Sequence, residues 1–261
     1  MIRELKFLLA LWQANLLAAM EYRTSFVLQV AGMMLNNGVY FIFWVIFFDR
    51  FEDIGGWGLP DMFLIFGLVA CSYGLAVMLF GNVLRLGDVI AGGQLDYYLS
   101  LPRPVLLHAL ASHSRFSGLG DVIYGTLSFF FAGQLSVAAF VRFGLGVAFS
   151  AVVFLSFLIL TQSLAFWMGN AQLIGTQAIN AIVTFSIYPA RLFDQTARFL
   201  LFTIIPAMLV GAVPTAFVRA FSWEGLFLLG GASTLFLGLA IFIFRRGLRR
   251  YESGSAIQVQ Q

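Results

Sequence analysis

Long uncharged apolar runs, cut by short clusters of charge, set the pattern of this chain. No charged residue lies between Arg23 and Asp49, Asp61 and Arg85, Asp121 and Arg142, or Glu224 and Arg245. Each interval accommodates the ~20 apolar residues that a helix needs to cross the hydrocarbon core of a bilayer. The interval from Arg142 to Arg191 holds two crossings, with its natural break at WMGNAQLIGTQ (167–177), where glycine and amides cluster. The pattern predicts an all-α membrane protein of one domain with six transmembrane helices, at 24–48, 62–84, 116–134, 143–167, 171–190 and 224–244.

A seventh apolar segment, FLLFTIIPAMLVGAVPTAFV, runs from Arg198 to Arg219, and charge decides its fate. With six spans and a cytoplasmic N-terminus, ten basic residues fall inside and five outside. A seventh span would leave seven inside and eight outside, against the excess of Lys and Arg that cytoplasmic loops carry. Pro206, Gly211 and Pro214 also interrupt the segment. The expectation is an extracellular re-entrant helical hairpin over 191–222, between spans five and six. Such backbone is tolerated only where protein or a wet cavity covers it. Both termini are then cytoplasmic.

At the N-terminus, Ile2, Leu5, Leu9, Trp12, Leu16 and Met20 recur at helical spacing, with Arg3, Glu4, Lys6, Gln13 and Asn15 on other faces. This reads as an amphipathic interfacial helix over 1–22, or else as an extension of the first span. The start lacks a signal-peptide cleavage pattern, so its first long apolar run stays as a span. The other end, 245–261, is a basic stop followed by a short cytoplasmic tail without expected order.

Composition agrees: 61% of residues are hydrophobic and 10% charged, with mean hydropathy +0.92, against about 25% charged in soluble domains. The formal charge of +3 follows the topology and does not point to nucleic acid. Cys71 stands alone, so no intrachain disulfide forms. Lys6 is the sole lysine, which excludes a Walker A loop, where a lysine behind a glycine-rich turn holds phosphates. His108 and His113 have no cysteine or carboxylate at helical spacing to complete a metal site, and read as interfacial residues. No serine sits in a nucleophile elbow and no acidic pair is placed for acid–base work. An enzyme reading therefore has no support. The halves do not mirror one another in hydropathy, which counts against an inverted-repeat secondary transporter.

What remains polar within the spans draws the functional candidates. The first span carries Gln29, Met33, Asn36, Asn37, Tyr40 and Trp44 on one broad face, and the fifth carries Gln177, Asn180, Thr184 and Tyr188. Polar groups in lipid must find partners, so Asn36, Asn37, Tyr40, Gln177, Asn180 and Thr184 touch either cargo or other helices. Asp121, in SGLGDVIYG, is an ionisable group near the start of a span. It is either functional or paired with Arg115 or another helix. Thirty phenylalanines supply lipid-facing and packing surface.

The one long polar interruption is RLGDVIAGGQLDYYLSLPR, from Arg85 to Arg103, and the charge count places it in the cytosol. After Gly93 it is short and amphipathic, and it stops at Leu101-Pro102-Arg103-Pro104, where proline forbids further helix. The expectation is a stiff elbow over 88–102, a short helix along the membrane, or else an ordinary loop.

GGQLDYYLSLPRP, then LGD at Leu119 to Asp121, Phe166-Trp167, Tyr188-Pro189 with Phe193 and Arg198, and Ile204-Ile205-Pro206 with Pro214 together form an ordered set. In order and spacing they resemble a half-size ATP-binding-cassette permease of the type-2 exporter branch, over nearly the whole chain. The resemblance implies that the permease dimerises, as a homodimer or heterodimer, and that each protomer rests on a separate nucleotide-binding ATPase subunit. That partner binds ATP and Mg, and this chain holds no cofactor of its own. It implies a coupling helix at about Gly92 to Pro102, with Arg85, Gly93, Asp96, Tyr97, Leu101, Pro102 and Arg103 as coupling residues. It implies an extracellular lid from Arg191 to Ser222, with Tyr188, Pro189, Arg198, Pro206 and Pro214 among its residues. Spans one, two and five would line a cavity between protomers, in the bacterial inner membrane and among its lipids.

The expected function is export of an amphipathic small molecule or lipid-like cargo, powered by the separate ATPase. The alternatives are an ion- or proton-coupled secondary transporter using Asp121, or a membrane scaffold that transports nothing. No charged ring lines a pore, which disfavours small inorganic ions. A mostly apolar cavity with a few amides suits amphipathic molecules.

Overall fold

The computed structural model describes residues 2–169 and 171–251. Among the described residues the chain is helical, with no strand. Its long elements are α1 (Ile2–Met20), α2 (Arg23–Phe48) and α3 (Leu59–Phe80). After α3 a 3-10 turn at Gly81–Arg85 leads to the short helices α4 (Leu86–Ala91), α5 (Leu95–Leu99) and α6 (Val105–Ala111). Then come α7 (Gly118–Phe131), α8 (Val137–Gln162), α9 (Ala165–Met168) and α10 (Gln172–Ser186). The last elements are α11 (Gln195–Thr203), α12 (Ala207–Val210), α13 (Ala212–Arg219) and α14 (Trp223–Leu248).

Four of these are long and apolar enough to cross a membrane: α2, α3 continued to Ala91, α8 continued to Met168, and α14. The pair Gln195–Thr203 and Ala207–Arg219 is a further apolar stretch bent by 71°. α7 and α10 have 14 and 15 residues, about 21 and 22 Å at 1.5 Å rise per residue, short of the ~30 Å hydrocarbon core. α8 opens at Val137, ahead of the expected 143, because the Ser136 hydroxyl caps it and accepts from Ala139 N at 3.1 Å. The break before α10 is narrower than 167–177: Gly169 turns at φ +70° and α10 starts at Gln172.

α3 is the axis of the bundle, packed on α7 and α8, with α14 against α8 and α2 against α7. Its junction with α7 is set by glycine. Gly67 and Gly74 on α3 face Gly125 and Gly118 on the antiparallel α7. A Cβ on Gly74 would lie 2.5 Å from Gly118 O, and one on Gly125 2.5 Å from Gly67 O. The reciprocal distances, from Gly118 to Gly74 O and from Gly67 to Gly125 O, would be 2.7 and 2.8 Å. Small residues let membrane helices approach to backbone contact, which gives packing that lipid cannot replace. On the other side of α7, Gly120 meets the backbone of α2 at Val30 O.

Phe7, Leu8, Leu11, Trp12, Asn15 and Leu16 of the N-terminal helix turn toward the bundle, whereas Leu5, Leu9 and Met20 are exposed. Glu4 and Asn15 belong to the docking face. Glu4 meets Arg103 Nη1 at 2.8 Å, and Asn15 Nδ2 donates to Ala111 O at 3.2 Å. Trp12 Nε1 donates to Leu79 O at 2.8 Å. Trp12 and Leu16 of the apolar stripe lie on this docking face.

Between α10 and α14, α12 is buried throughout, with Ala207, Met208, Leu209 and Val210 at 2% exposure or less. Ser186 Oγ donates to Ala207 O at 3.1 Å, and Gly211 lies against Ser186 O. The backbone broken by Pro206 and Gly211 is thus covered by protein. Arg219, at the end of α13, pairs with Asp61 at 3.0 Å beside the Trp57 ring.

Replacing Gly118 or Gly74 with Val should lower the thermal midpoint of the detergent-purified chain, by the equivalent of ~1–3 kcal/mol or more for overpacking against backbone. Gly144→Ala, where a Cβ meets nothing within 4 Å, should change it by no more than about 0.5–1 kcal/mol. Size-exclusion melts of the three variants check this.

Candidate functional site

A cavity of about 290 Å³ opens beside α3, walled by α2, α7 and α10. Asn36, Asn37 and Tyr40 reach it from α2, Asn180 and Thr184 from α10, and Tyr73 from α3. Phe66, Val69, Ala70, Ile179 and Val183 make its apolar wall. Five of the six expected pathway residues therefore line one cavity, from α2 and α10; Gln177 lies on the exposed side of α10, off the lining. Asn36, Tyr40, Asn180 and Thr184 are also exposed on the outer surface of the chain.

Asp121 closes the inner side of this cavity at 2% exposure. Its Oδ1 accepts from Asn37 Nδ2 at 2.6 Å, and the same amide donates to Met33 O at 2.9 Å. Arg115, the partner considered from the sequence, is not within ion-pair distance, and Asn37 holds the carboxylate instead. α7 can bring Asp121 this deep because it begins well inside the bundle, with Arg115 N donating to Val77 O at 3.0 Å.

The polar interruption after α3 is two short helices, not one. Gly93 turns at φ +72° between α4 and α5, and Pro104 precedes α6. Leu86, Gly87, Val89, Ile90 and Leu95 are buried, which seats the segment on the bundle. Arg85, Asp88, Gln94, Tyr97 and Leu99 point outward, Tyr97 at 63% exposure. Gly92 and Pro102 are exposed, while Leu101 and Arg103 are half-buried. Arg103 is turned inward onto Glu4 and over the Phe7 ring, at 4.5 Å to its centroid.

Three contacts brace this segment, and sequence reasoning missed all three. Gln162, at the end of α8 and 3% exposed, donates from Nε2 to Leu84 O at 3.1 Å and accepts from Gly87 N at 3.2 Å. Its amide also abuts Gly175 of α10, where a Cβ would come within 2.6 Å of Nε2. Tyr98 donates to Ser112 Oγ at 2.9 Å. At the end of α14, the Tyr251 hydroxyl sits by Asp96; burial, then the Asp96 carboxylate, hold it up at about 12. Phe166 of α9 packs on Tyr251 and Phe244. His108 is buried between Phe7 and Tyr98, and desolvation, then the Arg103 charge, push its imidazole below the ordinary range. It is thus a neutral packing residue.

The residues expected in the lid are spread out. Tyr188 meets Trp44 of α2, ring centroids 5.7 Å apart. Pro189, Pro206 and Pro214 are buried, and Arg198 is local, donating from Nε to Phe193 O at 2.8 Å. The tail beyond Tyr251 lies outside the described residues.

The long apolar helices make this a multi-pass membrane protein, with a cavity among them that joins an apolar wall to a few polar groups. The chain belongs to the ABC-2 family transporter proteins, whose family model matches residues 34–255. It is thus an ABC transporter permease, the membrane part of such a transporter. No curated protein and no solved structure matches it.

Gln162→Ala should leave Leu84 O and Gly87 N without partners, at a cost of ~1–3 kcal/mol for the buried groups. The expected result is a lower thermal midpoint and faster protease cleavage between Arg85 and Arg103 in the detergent-purified chain. Unchanged cleavage would show that the amide does not brace the segment.

Proposed function

We propose that this chain is the permease subunit of an ATP-driven exporter that moves an amphipathic small molecule or lipid-like cargo out of the cytoplasm. The cavity beside α3 carries this reading. It combines an apolar wall with amides, hydroxyls and one carboxylate, as a site for amphipathic ligands requires. On this reading the chain makes six crossings of the bacterial inner membrane with both termini cytoplasmic. α7 and α10 are short crossings, the first extended by 112–117 and the second completed by the hairpin, which re-enters from outside as a lid.

Asn36, Tyr40, Gln177, Asn180 and Thr184 are polar and exposed on helices that lipid would otherwise surround. Polar groups at such depth face protein or water, so a second permease chain covers them, identical or different, and the cavity becomes shared. Power comes from a separate ATPase subunit that binds ATP and Mg. It docks on the outward face of α4 and α5. ATP binding does work only through its unequal affinity for two states of the complex, and α5 carries that difference to the cavity through Gln162, Ser112 and the end of α14.

The test is co-expression of the chain with a P-loop ATPase subunit, sought first in the adjacent reading frames. Tyr97→Ala with Leu99→Ala should remove exposed anchor residues without touching the buried seat of the segment. Loss of an aromatic hot spot costs ~2 kcal/mol or more, so the ATPase should co-purify at least ~10-fold less, and cargo should cease to stimulate hydrolysis. Wild-type retention and stimulation in this variant would overturn the docking assignment.

A further inference from the structure

The cavity carries one charge and nothing inside it answers that charge. Asp121 is 2% exposed; Asn37 occupies its Oδ1, while Oδ2 is buried without a partner. Arg115 acts on Asp121 only at longer range, and the arginines in ion pairs are held elsewhere, by Asp49, Glu4 and Asp61. The other polar groups of the lining are amides and hydroxyls. A buried carboxylate in a span calls for a donor or a cation, and Asp121 lines the cavity. The opposite wall is apolar.

We infer that the cavity selects amphipathic organic cations, binding a protonated amine by an N–H donated to Asp121 Oδ2. The apolar body of the ligand lies against Phe66, Val69 and Val183, and its remaining N–H groups reach Asn36 or Thr184. Charge-assisted hydrogen bonds of this kind are about twice as strong as neutral ones. A neutral ligand of the same shape leaves Oδ2 unanswered, and an anion meets repulsion. The inference rests on reading the cavity as the cargo pathway and narrows the cargo to a charge class.

The full chain in phosphatidylcholine nanodiscs, without ATPase, is titrated with dansylcadaverine, a fluorescent primary amine. The matched probe is its N-acetyl derivative, which keeps the shape and loses the charge. The amine should bind about tenfold or more tightly than the acetylated probe, the equivalent of ~1.4 kcal/mol. Asp121→Asn should raise the amine Kd to that of the acetylated probe and leave the latter unchanged. Equal affinities on the wild-type chain, absence of saturable amine binding, or a preference that survives Asp121→Asn would each overturn the inference. Unchanged binding of the acetylated probe shows that the variant is folded; should it not fold, the wild-type comparison decides alone. If the amine preference holds but ATP drives no transport, the export reading falls and the site stands. If the acetylated probe stimulates the assembled ATPase as well as the amine does, only the cation selectivity falls.

Discussion

The backbone contact between α3 and α7 is the constraint on which the rest of the structure depends. GLVACSYG at 67–74 and GLGDVIYG at 118–125 lie antiparallel, glycine against glycine at both ends. Lipid tails are as apolar as leucine, so helices in a bilayer gain by close packing and hydrogen bonding more than by leaving solvent. A side chain at any of the four glycines would push α7 away. The contact also forces α7 to begin beside Gly74, deep in the bundle. That start brings Asp121 to Asn37 and lets Gly120 touch the backbone of α2. A packing device thereby fixes where the buried carboxylate stands.

The same axis continues past the end of α3 into the short helices that follow it. α3 passes through the 3-10 turn into α4, and Gln162 ties that junction to α8 and α10. Asn82 Nδ2 donates to Ala109 O at 2.7 Å and so binds the end of α3 to α6. Each such hydrogen bond is worth only ~0.5–1.5 kcal/mol net, but each is buried, and loss of one partner exposes the full desolvation cost of the other. The segment from Arg85 to Arg103 is therefore braced through α4 at the Gln162 amide and through α5 by Tyr98 on Ser112.

Much of the architecture was legible because charge and hydropathy act locally. Uncharged runs bounded by charged residues foretold α2, α3, α8 and α14, and Pro206 foretold the bend between α11 and α12. The polar faces of α2 and α10 could be listed from spacing, yet their meeting around one cavity depends on how the helices pack, which spacing does not encode. Asn37 outcompeted Arg115 for Asp121 for the same reason: Arg115 is near in sequence, but Asn37 is presented by a helix held close through Gly120. The docking face of α1 was not legible, because hydrophobicity marks lipid-facing and protein-facing residues alike. Glu4 and Asn15 gain their roles from Arg103 and Ala111, which lie far away in sequence. The paired glycines, spaced by seven on both helices, were readable and were passed over in favour of polar residues.

The unequal packing of the cavity walls decides which of them can move. In its most apolar window α3 is 67% buried within the chain and α2 only 11%. α3 is locked by glycine on one side and by α8 on the other, so it serves as the fixed wall. α2 is held by its contact at Gly120, by Asn37 on Asp121, and by an aromatic cluster that joins Trp44 to Tyr188 near its outer end. Segments with few buried contacts are where proteins open first. Shifting α2 would part Asn37 from Asp121, a hydrogen bond to a charged group worth ~1.5–3 kcal/mol. An occupant that donates to Asp121 Oδ2 leaves that bond in place, so one carboxylate joins the hold on α2 to the floor of the cavity.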